Sequence, residues 1–416
     1  MAKTIYATEN DIYIHKSLTE IVQLQDLVVV GQEFDKSSQT LRLNCVPRWS
    51  AAICPDCRQL CGDIHDYLRQ RTIHDTPIRG NKTLLCFDVH RFWCKSCQNA
   101  FMQPIGDVVP ECTYTYRLMA EIADPKRKQS VATLAEIYHL GYKLVESIIL
   151  KAAQSKLQAR TQAPLKVEML GVDELAHHKG HGSYVLVITD LKRRIIVDIL
   201  PDRQKQTLIK WLKNPPKGVD LSALTTVATD LWGHYREAVK TVYPHVSVVA
   251  DRFHVVQNLN QVIHTCRREA QAQATSKEEK NQLKGLRYLL LKNDSKLTYS
   301  EEVRLKALAH SHPQLFQLVQ LRQELHDWYE TKTTPALAQV SLTAWITQAK
   351  ALGLTALNQF TETLTHWQTE IVNFFAHRIT SGFVEGMNSK IRLLHRLAFG
   401  LPNFQHFRSR LLWACG

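Results

Sequence analysis

Leu224-Thr-Thr-Val-Ala-Thr-Asp230-Leu-Trp-Gly-His-Tyr235, followed by Val246-Ser-Val-Val-Ala-Asp251-Arg-Phe-His254, is the stretch that sets the fold class. Each half is a short apolar run closed by an aspartate, which is the pattern of a strand buried on both faces of a parallel sheet. Helical spacing resumes over Tyr235 to Val242 and again from Phe253. Upstream, Val167 to Leu175, Gly182 to Thr189 and Arg193 to Leu200 read as three consecutive strands, and Gln204 to Lys213 as an amphipathic helix stopped by Asn214-Pro-Pro. Three strands, a helix, and two further strand and helix pairs follow the order of an RNase H-like α/β sheet.

Downstream, about Asn260 to Asn373 turns charged, Gln-rich and helical, with Leu and Ala at three- and four-residue spacing, and reads as an all-α insertion. On the N-terminal side, Leu27 to Leu43 alternates and predicts a hairpin turning at Asp35 to Ser38. Cys54 to Phe101 reads as short strands and turns, and Tyr116 to about Lys156 as helices, before the break at Gln162-Ala-Pro-Leu-Lys166. The expected organisation is multidomain α/β: a hairpin and zinc ribbon over 1–108, a helix-turn-helix over 109–162, and the first part of a catalytic core over 163–259. An all-α insertion over 260–372 and a last core helix with a basic tail over 373–416 complete it.

With 44% hydrophobic and 22% charged residues in 416, the chain carries enough apolar mass for several cores and is neither fibrous nor disordered in composition. Lys plus Arg number 52 against 39 acids, a net charge of +13, which favours a polyanionic partner, nucleic acid before a membrane surface. The N-terminus lacks a signal-peptide layout and no apolar run approaches the roughly 20 residues of a membrane span, so a cytoplasmic location is expected.

Seven of the ten cysteines fall between Cys45 and Cys97. Cys54-Pro-Asp-Cys57 and Cys94-Lys-Ser-Cys97, separated by 36 residues, are two knuckles that together predict one structural zinc ion. Cys61 and His65 lie close enough to replace one of these ligands, while Cys45 and Cys86 read as core. Thr133 to Ile149 reads as two helices joined by a turn at Gly141, with Val145 and Ile148 inward and Tyr142, Lys143, Glu146 and Ser147 outward. That is the layout of a helix-turn-helix, although small three-helix packing units share it.

Three acids stand where this sheet would gather them. Asp173 lies in Gly171-Val-Asp-Glu174, Asp230 ends a separate strand, and Glu385 lies in Ser381-Gly-Phe-Val-Glu-Gly-Met-Asn-Ser-Lys390 on the last helix. Such carboxylates can hold two Mg²⁺ ions, or Mn²⁺ in their place, about 3.5–4 Å apart for phosphoryl transfer. Asp251 competes with Asp230, which ranks first because the fourth strand lies beside the first in this fold. Glu174 should face the opposite side from Asp173. His177-His-Lys-Gly-His181 reads as a DNA-contacting or solvated loop.

These blocks, with Thr229-Asp-Leu-Trp-Gly-His-Tyr235, Ala250-Asp-Arg-Phe-His-Val255 and Val384-Glu-Gly-Met-Asn-Ser-Lys-Ile-Arg392, resemble the ISL-three family of bacterial insertion-sequence transposases over nearly the whole chain. The resemblance implies a zinc ribbon and helix-turn-helix that recognise terminal inverted repeats, and a DDE catalytic domain interrupted by a helical insertion. By motif it implies Asp173, Asp230 and Glu385 as the catalytic, magnesium-binding triad, acting on the element ends and on target DNA. Coupling two ends calls for a homodimer or larger assembly. Lys143, Trp232, Tyr235, Arg252, His254, Asn388, Lys390, Arg392 and Arg396 are the expected DNA contacts, and Arg408 and Arg410 extend the basic tail. Two other readings remain at this point: a non-catalytic DNA-binding regulator, and a nuclease that hydrolyses without joining.

Overall fold

The computed structural model describes residues 18–124, 127, 129–176, 184–379, 382–397 and 403–416. Its contacts divide the chain into two units, Met1–Lys156 with Leu394–Ala414, and Leu157–Leu393 with Cys415–Gly416. The histidine-rich loop 177–183 lies outside the described residues.

The first unit opens with a five-stranded sheet. The expected hairpin is strands β1 (Leu27–Asp35) and β2 (Thr40–Pro47), antiparallel and closing at Asp35 opposite Thr40. The cysteine region does not consist of short strands alone. β3 (Ile64–Ile78) and β4 (Asn81–Cys94) form a long antiparallel ribbon, with β5 (Asn99–Met102) added beside β4. Register shifts between Ile64 and Asp66, Leu68 and Arg71, and Asp75 and Ile78 break the period-two alternation, which is why the sequence hides these strands. The ribbon turns through Arg79 and Gly80, at φ 51° and 77°, the left-handed pair that a two-residue hairpin needs.

Three helices follow: α1 (Tyr116–Ile122), α2 (Val131–Ile137) and α3 (Tyr142–Gln162). Thr115 and Ser130 cap the first two, and Leu118, Ile122, Leu134, Val145 and Ile148 share one core. In the turn between α2 and α3 the left-handed residue is His139, at φ 53°. The helices are tied to the sheet by buried Asp75, which accepts hydrogen bonds from Thr115 Oγ1 (2.7 Å) and Arg117 Nε (2.6 Å).

The same unit takes in the chain's end, where the sequence reading had kept 373–416 together as the close of the core. Helix α13 (Phe404–Cys415) buries Phe407, Leu411 and Leu412, Trp413 Nε1 donates to Ala123 O, and Lys156 Nζ donates to Trp413 O (3.1 Å). Arg410 is no free basic tail residue: Nη2 lies 3.5 Å from Gln129 O, and burial pushes its guanidinium below the ordinary value. Phe407 and Leu411 fall one helical turn apart, so this segment needed an apolar partner surface.

In the second unit the strands are β6 (Met169–Ala176), β7 (Tyr184–Asp190), β8 (Ile195–Leu200), β9 (Thr226–Thr229) and β10 (Ser247–Ala250), in the spatial order β8-β7-β6-β9-β10. β8, β7 and β6 are antiparallel neighbours, whereas β6, β9 and β10 run parallel. Every residue of β9 is buried, as a central strand covered on both faces must be. On one face lie α4 (Lys205–Lys213) and α5 (Gly233–Val242), whose Leu208, Trp211, Leu212, Tyr235, Ala238 and Val239 pack with Leu170, Val172, Val227 and Val248.

On the other face a helical segment begins with α6 (Arg252–Gln273), followed by α7 (Lys277–Gly285), α8 (Tyr299–Ser311), α9 (Pro313–Glu330), α10 (Pro335–Ala351) and α11 (Thr355–His366). They share one core that reaches Val249 and Ala250 of β10. No strand interrupts this segment among the described residues. The backbone of Gly382–Leu397 forms helix α12. No described helix is long and apolar enough to cross a membrane.

Candidate active site and metal centre

Strands β9 and β10 end level with each other, beside the middle of β6. Thr229 of β9 is paired with Val172 on one side and Ala250 on the other, so the residues one step further, Asp173, Asp230 and Asp251, form a single row. Residues at one level of parallel neighbours point to one face. Asp173, Asp230, Asp251 and His254 accordingly line one cavity, together with Gly171, Ala228, Val249 and Ile379. β9 lies directly beside β6, with β10 beyond it.

Each carboxylate is held differently. Asp173 accepts from the Glu174 N–H at Oδ1 (2.8 Å) and from Asn388 Nδ2 of α12 at Oδ2 (2.5 Å). Asp230 accepts from the Trp232 N–H (3.2 Å). Asp251 caps α6, accepting from the Phe253 N–H (2.9 Å). His254 Nε2 lies 3.8 Å from Asp173 Oδ1 and 4.0 Å from Asp251 Oδ2. Burial lifts the Asp230 carboxyl to about 6; Glu174 and Asp173 add to the rise, and His254 opposes it. A buried carboxylate among like charges is the kind of group that a bound cation would stabilise.

Gly171, two residues before Asp173, permits a close strand approach: a Cβ there would lie 2.5 Å from Thr189 Oγ1 and 2.9 Å from Leu191 Cδ2. On the opposite face Glu174 accepts from Tyr235 Oη (2.7 Å) and Arg203 Nη1 (2.9 Å). The Arg203 guanidinium is stacked between Tyr184 (4.3 Å) and Trp232 (4.7 Å). Arg203 and Tyr184 escaped the sequence reading because nothing local marks an arginine in Pro201-Asp-Arg203 as an aromatic sandwich.

The expected DNA contacts separate on these grounds. Tyr235 is a correction: it is wholly buried, with its hydroxyl spent on Glu174. Asn388 is buried against Asp173, and Arg252 pairs with Glu330 (2.9 Å). Trp232 is half-buried over Arg203. Lys143, Lys390, Arg392 and Arg396 are exposed. Glu385 falls on the α12 backbone, and its side chain lies outside the described residues.

In the first unit the two knuckles meet. The sulfurs of Cys54, Cys57, Cys94 and Cys97 all lie within 4.8 Å of one another, with Cys57 and Cys94 3.5 Å apart and Cys54 and Cys97 3.9 Å apart. A tetrahedral site with Zn–S near 2.3 Å needs about 3.8 Å between sulfurs, so the four fit zinc. Both knuckles place the residue after their second cysteine in the left-handed region, Arg58 at φ 64° and Gln98 at φ 51°. The Cys97 N–H points at Cys94 Sγ (3.5 Å) and pulls that thiol down to about 6. Neither Cys61 nor His65 joins the cluster: Cys61 donates to Gln59 O (3.7 Å), and His65 stacks on Trp93.

A family model described as a transposase, of the ISL-three type, matches residues 170–411. The chain belongs to the ISL-three family of transposases. It is 27% identical over 374 residues to the transposase for insertion sequence element IS1001 of Bordetella parapertussis, which covers 89% of this chain and 90% of that one. It is also 24% identical over 299 residues to the transposase for insertion sequence element IS1557 of Mycobacterium tuberculosis (strain ATCC 25618 / H37Rv), 66% of each chain. The family match spans β6 to α13, and so contains the carboxylate row, His254 and Asn388 of this ISL-three transposase.

Proposed function

We propose that this chain cuts and joins DNA at the ends of an insertion sequence, with Asp173, Asp230 and Glu385 as metal ligands on an RNase H-like core interrupted by the helical segment. The observation that carries this reading is the row of carboxylates at one level of adjacent parallel strands. Support for the core comes from the strand order β8-β7-β6-β9-β10 with its antiparallel and parallel halves. Support for Glu385 comes from helical spacing, since positions 385 and 388 share a face of α12 and Asn388 meets Asp173.

Two Mg²⁺ ions in this site would supply an activated hydroxide or 3′-hydroxyl and a clamp on the attacking and leaving oxygens. The protein's own part is positioning. Asn388 fixes Oδ2 of Asp173 and the Glu174 N–H holds its Oδ1, while Trp232 N–H orients Asp230. His254, partly exposed beside Asp173, offers an N–H to a substrate phosphate. Hydrolysis breaks one phosphodiester at an element end and frees a 3′-OH. That hydroxyl then attacks a target phosphate, one P–O bond forming as another breaks. The cysteine cluster with zinc, and α2 and α3 as a helix-turn-helix exposing Lys143, would read the terminal repeats; exposed Lys390, Arg392 and Arg396 would meet the backbone. Two ends joined in one event imply at least two copies of the chain.

The test is incubation of the full chain with Mg²⁺ and duplex DNA carrying the sequences that flank its coding region. Joined products absent in Glu385→Gln support the reading. Hydrolysed products without joining would reassign the chain as a nuclease, and binding without cleavage as a regulator.

A further inference from the structure

Near the start of the helical segment, α6 and α7 face each other across a groove lined by Arg267, Arg268, Gln271, Asn281, Lys284 and Arg287, with Tyr288 beside them. Four of these residues are cationic, and among the described residues no carboxylate lines the groove. Arg268, Lys284, Arg287 and Tyr288 are exposed, Tyr288 at 77%, and the Arg287 guanidinium lies 5.4 Å over the Tyr288 ring.

Arg267 is the unusual member. It is 6% exposed, donates from Nη1 to Gln271 Oε1 (3.0 Å) and Leu283 O (3.2 Å), and leaves its Nε buried without a partner. Buried arginines are normally closed by a carboxylate. Here the neighbouring charges are Arg287 and Arg268, and with burial they push Arg267 below its ordinary value. They act in the same direction on nearby His264, whose Nδ1 is also buried without a partner. A desolvated cation among like charges is a site that an anion completes.

We infer that this groove between α6 and α7 is a second DNA-binding surface, which takes the phosphate backbone of duplex DNA on Arg268, Lys284 and Arg287, with Arg267 beneath them. The inference rests on DNA being the substrate, as proposed above. The contact reads no sequence, because it offers charge and an aromatic ring rather than an array of base-edge partners. It gives the helical segment a task, holding DNA that runs beyond the cleavage site.

The experiment measures binding of the full chain to a fluorescent duplex of arbitrary sequence across a salt series. Each phosphate contact contributes about 0.9 to the slope of log K against log salt and about tenfold in affinity near 0.1 M salt. Combined Arg268→Gln, Lys284→Gln and Arg287→Gln should lower the slope by about 2–3. Arg268→Lys with Arg287→Lys should keep it. Neutralising exposed Lys296, Lys332 and Lys350, outside the groove, should change it much less. The inference is overturned by an unchanged slope in the glutamine variant, by equal losses in the lysine variant, or by equal losses in the variant outside the groove. Failure of the unaltered chain to bind any duplex would instead overturn the DNA reading on which the inference rests.

Discussion

The side-chain amide of Asn388 donates a 2.5 Å hydrogen bond to Oδ2 of Asp173, joining α12 to the first strand of the sheet across 215 positions of chain. This contact makes α12 part of the carboxylate site. Loss of a partner that orients a metal ligand typically costs 10–100-fold in metal affinity or activity. Asn388→Ala should therefore raise the Mg²⁺ concentration for half-maximal cleavage by roughly that factor, as measured by metal titration. An unchanged titration would mean that Asp173 is oriented without Asn388.

Asp230 should set a pH-dependent cost on the metal-free fold. Its carboxyl is lifted from the ordinary 3.8 to about 6, mainly by burial. Well below pH 3.8 both folded and unfolded chains hold the proton and the group contributes nothing. As pH rises through that window the unfolded chain ionises first, so stability falls, by roughly 3 kcal/mol once pH exceeds 6. In chelator, Asp230→Asn should melt higher than the unaltered chain at pH 7.5, and the gap should close as the pH falls below 3.8. A lower melting point for the variant at pH 7.5 would show that the charge is already compensated.

Gly171 is required by contact and not by backbone conformation. Gly171→Ala brings a Cβ against Thr189 Oγ1 and Leu191, and should destabilise the second unit by about 1–3 kcal/mol in denaturant melts. Cleavage should fall as well, because the displaced strand carries Asp173. Wild-type stability in this variant would contradict the tight β6 to β7 approach.

The four cysteines should bind one zinc ion per chain and stabilise the ribbon. Cys54→Ser with Cys94→Ser should abolish zinc in metal analysis and loosen the core that Phe92 and Phe101 share with the knuckles. Binding to element ends should be lost with it. Full structure and end binding in a chain free of zinc would count against a structural metal.

Much of the carboxylate row was legible because a strand buried on both faces is a continuous apolar run, and Asp230 and Asp251 each end one. Alternation likewise sent Asp173 and Glu174 to opposite faces, as their partners Asn388 and Arg203 show. Tyr235 was misread since an aromatic residue early in a helix looks available to solvent until the helix is rotated onto its sheet. The cation sandwich at Arg203 and the packing of Phe407 and Leu411 depend on residues remote in sequence. No local period encodes them. In β3 and β4 it was bulges that erased a signal otherwise carried by fifteen- and fourteen-residue strands.

The central claim is that Asp173 within β6 and Asp230 just past β9 catalyse DNA breakage and joining. Its most direct measurement compares Mg²⁺-dependent cleavage and joining of element-end DNA by the unaltered chain, Asp230→Asn and Asp251→Asn. The account expects both reactions to vanish in Asp230→Asn and only to weaken in Asp251→Asn, whose aspartate caps α6. Undiminished cleavage by Asp230→Asn, or loss in Asp251→Asn alone, would contradict it.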